Sequence, residues 1–485
     1  MPVTEADTSR SAPPAEAGAL AEYAAAAEAG LQPGETAYWL LDDNADALRV
    51  RIALADLAVE TLDIQYFIWQ DDLTGRLLMQ HVLAAADRGV RVRFFLDDLA
   101  VTGLDTQLVG LDAHPSIEVR IFNPWKSRSQ LVRPFEFALR MGRLNHRMHN
   151  KVFVADGRFG IVGGRNIGDR YFGVYDEFVQ NDIDLMVSGT MLDDLMSAFD
   201  AFWNSELSHR MFRDARETDE RLAELRRMCA QSAAANEASL AAFAVPSGGW
   251  HGYFDDVMRG LTRGTGELLL DTPAVHAELP TQLYERFKEF VGRAESELIL
   301  SSPYLVPDEP FVELLDALTD RGVRVLIVTN SLASNSHTVA HSAYKRWRRA
   351  LLATGAEVYE MRADAQVLED YKTPPAEPGW LALHTKAAVV DGRWSFVGSP
   401  NIDPRSMILN TEIGLVADDP ALAGKLIRLL SRDMEPENSW RVTLESDGWL
   451  KWWNGSEAVG RQPAQGFQQR ALEFFLNLIP IKNQT

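Results

Sequence analysis

Between residues 60 and 99 the hydrophobic pattern changes period twice. "ETLDIQYFIWQ" (60–70) is rich in β-branched and aromatic residues and predicts a strand. "DLTGRLLMQHVLAAADRG" (72–89) reads as an amphipathic helix stopped by Gly89, and "VRVRFFLDDL" (90–99) reads as a second strand. The order recurs further on, as "ESELILSSPYLV" (295–306), "EPFVELLDALTDRG" (309–322) and "VRVLIVTNSL" (323–332). "RGVRV" occurs at both 88–92 and 321–325. A repeated strand–helix–strand unit predicts two α/β halves, each a mixed sheet flanked by helices on both faces.

A longer repeat follows each unit. "MHNKVFVADGRFGIVGGRNIGD" (148–169) and "LHTKAAVVDGRWSFVGSPNIDP" (383–404) share ten of twenty-two aligned residues, among them His149/His384, Lys151/Lys386, Asp156/Asp391 and Asn166/Asn401. On a strand, His and Lys two apart share a face. The Gly-Arg after each aspartate marks a tight turn, and the following loop, with Gly164 or Ser399 and then Asn, can return an amide to the same place. An isolated His-x-Lys could be two core residues. Two copies at matched positions of duplicated halves point instead to catalysis.

Neutral imidazole is a nucleophile near neutral pH, ammonium neutralises an anionic oxygen, and the amide adds a directional donor. Two such sets suit a phosphodiester: one histidine attacks phosphorus, the other protonates the leaving alcohol, and the lysines and asparagines hold the free oxygens. An acidic residue beyond each motif is expected to orient its imidazole. Glu412 fits in the second half; alignment puts Asp182 in the corresponding place, with Asp184 a close rival. Asp156 and Asp391, at the strand-to-turn junction, are expected to hold the turn. A metal site is not expected, since a lysine beside each histidine is a poor neighbour for a cation.

HxKxxxxD followed by GG or GS and then Asn is the signature of the phospholipase D superfamily. "LDIQYFIWQDDLTGRLL", "RMHNKVFVADGRFGIVGGRNIGDRYFG", "FVGSPNIDPRSMILNTEIGL" and the closing "WRVTLESDGWLKWWN" with "FFLNLIPI" resemble bacterial cardiolipin synthases of the C type, from about residue 35 onward. The resemblance implies two pseudo-symmetric phospholipase D-type domains with one site between them. It also implies a two-step phosphohistidine reaction without metal or other cofactor. By position His149 is then the nucleophile and His384 the general acid and base, an order the symmetric motif itself leaves open. Lys151, Lys386, Asn166, Asn401, Gly164 and Ser399 match the family's phosphate-binding groups. The implied activity is phosphatidyl transfer forming cardiolipin from phosphatidylglycerol, with phosphatidylethanolamine a second candidate substrate. The alternatives are a hydrolytic phospholipase D, a nuclease or an inactive lipid-binding scaffold. Enzymes of this type can also require an activating partner protein.

Composition narrows these choices. A net charge of −21 with pI near 5.0 disfavours nucleic acid as the main partner. The lone Cys229 excludes an internal disulfide, and in its helical pattern reads as a small apolar residue. No run of eighteen apolar residues predicts a bilayer span, and the acidic N-terminus does not read as a signal peptide. The expected location is peripheral, on the cytoplasmic side of the inner membrane, with two candidate contacts to an anionic surface. Residues 125–147 carry six Lys or Arg against one Glu, interleaved with aromatics. The amphipathic stretch 465–482 either lies in the interface or packs on the protein. The expected organisation is a flexible arm ending in an Ala-rich helical turn or two (1–34), a first domain (35–212), a helical linker (213–249), a second domain (250–432) and a C-terminal extension (433–485).

Overall fold

The computed structural model describes all residues except 1–2, 5–6, 100, 102, 127–135, 137–138, 140–141, 212–217, 274–280 and 479–485. In the first half, β1 (Glu35–Leu41) and α1 (Asn44–Leu57) precede β2 (Thr61–Tyr66), α2 (Leu73–Asp87), β3 (Arg91–Asp97) and β4 (Ile117–Phe122). Then come β5 (Val152–Ala155), β6 (Phe159–Gly163), β7 (Asp184–Gly189) and α3 (Thr190–Trp203). β2, β3 and β4 are parallel, whereas β5, β6, β7 and β1 continue the sheet antiparallel from the free side of β2.

The second half repeats the plan. Its strands are β8 (Thr262–Leu270), β9 (Glu297–Ser301), β10 (Arg324–Asn330), β11 (Glu357–Met361), β12 (Ala387–Val390), β13 (Trp394–Gly398) and β14 (Ile413–Asp418). Helices α4 (Glu309–Asp320) and α5 (Thr338–Ala353) fill the crossovers, and α6 (Pro420–Asp433) follows β14. Asp72 and Asp308 cap α2 and α4 by accepting the amides of Gly75 and Phe311.

The halves are fused rather than merely adjacent. β1 pairs antiparallel with β8, from Glu35↔Thr265 to Tyr38↔Thr262, so the two sheets form a single mixed sheet, of nineteen strands among the described residues. On one face α3 and α6 share a core in which Leu195, Phe199 and Trp203 meet Leu422, Leu426 and Leu430. The opposite faces carry separate cores, one under α1 and α2, the other under α4 and α5. Burying those stripes from both halves against one sheet fixes their relative position, and with it the seam where the two motifs meet.

Two expectations are corrected here. Residues 9–28 pack against the first half instead of forming a flexible arm. Ser11 donates to Asp200, Trp203 donates to the Ser9 hydroxyl at 2.8 Å, and the helix Ala19–Glu28 buries Leu20, Ala24 and Ala27. Alanine-rich, weakly patterned sequence hides this docking, because the partners lie far along the chain. Arg147 and Trp125 are also buried, Arg147 paired with Asp97, so neither belongs to a surface footprint. Most of the rest of 125–147 lies outside the described residues. The C-terminal helix α7 (Phe467–Leu478) docks on α5 through buried Glu473, which accepts from His341 Nδ1 at 2.9 Å and pairs with Lys345. Phe467 and Leu472 stay exposed on it. Among the described residues no helix is long and apolar enough to cross a membrane. Cys229 is buried, and burial pushes its thiol up to about 11, which keeps it unreactive.

Candidate active site

β5 runs antiparallel to β2 with Val152 opposite Gln65, so the His149–Lys151 stretch just before β5 lies beyond the C-terminal end of β2. β12 repeats this against β9, where Ala387 faces Ser301 and His384–Lys386 lies beyond. Both motifs thus sit at the carboxyl edge of the parallel strands, where crossovers leave a crevice in α/β folds.

Two short parallel ladders close the seam. Arg147–Met148 pairs with Asn410–Thr411, and Leu381–Leu383 pairs with Val179–Asn181. Continued by one residue, these registers bring His149 beside Glu412 and His384 beside Asp182. The side chains follow: His149 Nδ1 lies 2.8 Å from Glu412 Oε2, and His384 Nδ1 contacts Asp182 Oδ2. The sequence expectation assigned each acid to its own half. The structure exchanges them, because the acid-bearing strands pair across the seam. Asp184, the rival to Asp182, instead forms buried ion pairs with Arg51 and Arg165.

Each carboxylate accepts from Nδ1, leaving Nε2 as the basic nitrogen of the ring. Burial pulls the His149 imidazole down to about 4 and that of His384 to about 3, aided by the neighbouring lysines and opposed by the acids. Both rings are therefore neutral at physiological pH. Lys386 Nζ lies 3.0 Å from His384 Nδ1, but that nitrogen already donates to Asp182, so the contact is a repulsion and not a hydrogen bond. Burial also lowers Lys151 to about 7 and Lys386 to about 8. Burial opposes ionisation of Asp182 and Glu412 too, yet the facing histidines and lysines hold both carboxyls below their usual range. Lys386 acts on His149 and Lys151 on His384, so the two sets occupy one electrostatic site.

The remaining motif residues divide by role. Asn166 accepts from the Ile68 amide and donates to the Tyr171 hydroxyl, whereas Asn401 Oδ1 is buried with no hydrogen-bond partner among the described residues. Gly164 and Ser399, expected at the phosphate, face the acids instead. A Cβ on Gly164 would stand 2.5 Å from Asp182 Oδ1, and the Ser399 hydroxyl is engaged by Glu412 and the Ile413 amide. Asp156 and Asp391 adopt positive φ and cap the strand beside them. Asp156 accepts the amides of Val59, Glu60 and Thr61; Asp391 accepts those of Glu295, Ser296 and Glu297.

A family model described as the phospholipase D-like domain of cardiolipin synthase matches residues 52–203 and again 287–434, one match for each half of this seam. The chain belongs to that family. It is 35% identical to cardiolipin synthase C of Escherichia coli K12 over 466 residues, covering 93% of this chain and 96% of that protein. It is 26% identical to a cardiolipin synthase of Staphylococcus aureus Mu50 over 382 residues, covering 78% of this chain and 63% of that one. The crystal structure of phosphatidylserine synthase from Haemophilus influenzae Rd KW20 shares the fold, with a TM-score of 0.54 at 14% identity, over 84% of this chain and 90% of that one.

Within this phospholipase D-like frame three further residues shape the site. The Ser406 hydroxyl donates to Glu412 Oε1 at 2.7 Å. Phe67 stands edge-on to His149 at 5.0 Å, and Tyr171 edge-on to His384 at 5.4 Å. Reading the sequence missed all three. Tyr171 and Ser406 occupy the same place in the two repeats, five residues after Asn166 and Asn401, but are unlike in chemistry. The repeat therefore carries no signal for them.

Proposed function

We propose that this protein is a phosphatidyltransferase that forms cardiolipin from phosphatidylglycerol through a phosphohistidine. The observation that carries the reading is the pair of seam-crossing imidazole–carboxylate contacts, each beside a buried lysine. His149 Nε2 attacks the phosphorus of one phosphatidylglycerol, forming an N–P bond while the P–O bond to the glycerol headgroup breaks. The anionic phosphodiester favours the protonated form of His384, which gives its proton to the departing glycerol oxygen. Neutral His384 then takes the proton from the primary hydroxyl of a second phosphatidylglycerol. That oxygen displaces His149 from phosphorus, and cardiolipin leaves. Lys151 and Lys386 neutralise the non-bridging oxygens throughout. Glu412 and Asp182 hold each ring in the tautomer with free Nε2 and stabilise its cationic state.

Because the substrates are lipids, the enzyme works at an anionic membrane surface as a peripheral protein on the cytoplasmic side of the inner membrane. Exposed Phe467 and Leu472 on α7, with the basic positions Lys126, Arg128, Arg133 and Arg140, form the contact. Incubation with phosphatidylglycerol vesicles tests the activity. Cardiolipin and free glycerol in equal amounts are expected, and adding phosphatidylethanolamine shows whether it also serves. Phosphatidic acid as the sole product would replace the transferase reading with hydrolysis.

A further inference from the structure

Arg170 leaves the Asn166 loop beside Tyr171, on the His384 side of the seam. It is half-buried, and its guanidinium lies over the rings of Phe178 at 5.3 Å and Tyr175 at 5.9 Å. Phe178 in turn stacks on Trp380 of the second half, at 4.5 Å. The charge of Arg170 reaches Tyr304 and His337, also of the second half. The group therefore stands on the seam, one residue from the ring that touches His384.

Among the described residues Arg170 has no carboxylate within ion-pair distance. By contrast, Arg51, Arg93, Arg147, Arg165 and Arg348 are all paired. The adjacent Asp169 is occupied by the amides of Leu73 and Thr74, and Glu177 by the Tyr175 hydroxyl. Gln70, its amide turned with the nitrogen toward Asp72, offers its oxygen to Arg170 at 3.0 Å. The internal repeat supplies a control. Arg405 occupies the same place after Asn401, but it is bound to Asn145 Oδ1 at 3.0 Å and to the Asn145 carbonyl at 3.2 Å. Of this pseudo-symmetric pair Arg405 has both terminal nitrogens bound to Asn145, whereas Arg170, on the acid–base side, gives one hydrogen bond to a neutral amide.

A planar guanidinium backed by aromatic faces and lacking a carboxylate is suited to bidentate binding of a phosphodiester. In the proposed reaction the acceptor hydroxyl approaches His384, and in phosphatidylglycerol that hydroxyl is three carbons from a second phosphodiester. We propose that Arg170 binds the phosphodiester of the incoming acceptor lipid and so selects phosphatidylglycerol over water and neutral alcohols. This inference rests on the proposed transferase reading with His384 as acid and base.

The test offers phosphatidylglycerol vesicles together with ethanol, so that cardiolipin and phosphatidylethanol form from one shared phosphohistidine. Replacing Arg170 by Gln removes a charged hydrogen bond to the lipid acceptor only. The cardiolipin-to-phosphatidylethanol ratio should fall about tenfold or more, and Arg170→Lys should recover part of it. Phosphatidylethanol formation by Arg170→Gln at near wild-type rate reports an intact fold and donor site. An unchanged ratio, with both products kept or both lost together, overturns the acceptor role and leaves the transferase reading standing. Neither product from the wild-type protein counts against the transferase reading itself.

Discussion

Substituting Glu412 by Gln should impair the histidine of the opposite half, and its size follows from the contacts. Glu412 is fully buried; Oε2 accepts from His149 Nδ1 and the Ser399 hydroxyl, and Oε1 accepts from Ser406. Glutamine keeps the shape. With its NH2 toward Ser406, whose hydroxyl can rotate to accept, its oxygen still faces His149. What disappears is the charge. A hydrogen bond to a charged group contributes about 1.5–3 kcal/mol and a neutral one about 0.5–1.5, so the difference is about 1–2 kcal/mol. That predicts a fall of about five- to thirtyfold in kcat/KM, and more if the amide flips and forces the wrong tautomer. The deciding assay is NMR of the ring Nδ1–H signals, assigned by the variants His149→Ala and His384→Ala. In Glu412→Gln the His149 signal should move and the His384 signal should stay, and Asp182→Asn should give the converse. A response at His384 in Glu412→Gln would mean that the acids serve their own halves and would refute the seam-crossing arrangement.

His149→Ala and His384→Ala should each abolish turnover, since neither half can both attack phosphorus and move the proton; substantial cardiolipin formation by either variant would contradict the shared site. Tungstate binding should weaken as pH rises through about 7 to 8, because the lowered pKa values of Lys151 and Lys386 remove their charge in that window while both histidines are neutral throughout. Each lysine should add up to about tenfold in Kd per pH unit above its pKa, and a flat calorimetric profile from pH 6 to 9 would remove these lysines as the oxyanion ligands. Gly164→Ala places a methyl group 2.5 Å from Asp182 Oδ1, so kcat should fall at least about tenfold as that carboxylate is pushed off His384. The expected change in Tm is small, and full activity in this variant would show that Asp182 can move without consequence.

Much of this protein is legible in its sequence, because repeats and periodicity are local. The strand–helix–strand units and the doubled His-x-Lys can be found by comparing the chain with itself. Each depends on neighbours within a few residues, and the resemblance to the phospholipase D superfamily follows from the motifs themselves. What local pattern cannot express is which half a residue faces. Glu412 reads as the partner of His384 because it lies closer along the chain, and only the ladders Arg147–Met148 with Asn410–Thr411 and Leu381–Leu383 with Val179–Asn181 send each acid across the seam. The distinction between Arg170 and Arg405 is likewise absent from the repeat. It depends on whether a loop from the other half, carrying Asn145, reaches the guanidinium. Duplication repeats the chemistry, but the long-range packing of unlike loops around the seam breaks its symmetry, and those contacts exist only once both halves share one sheet.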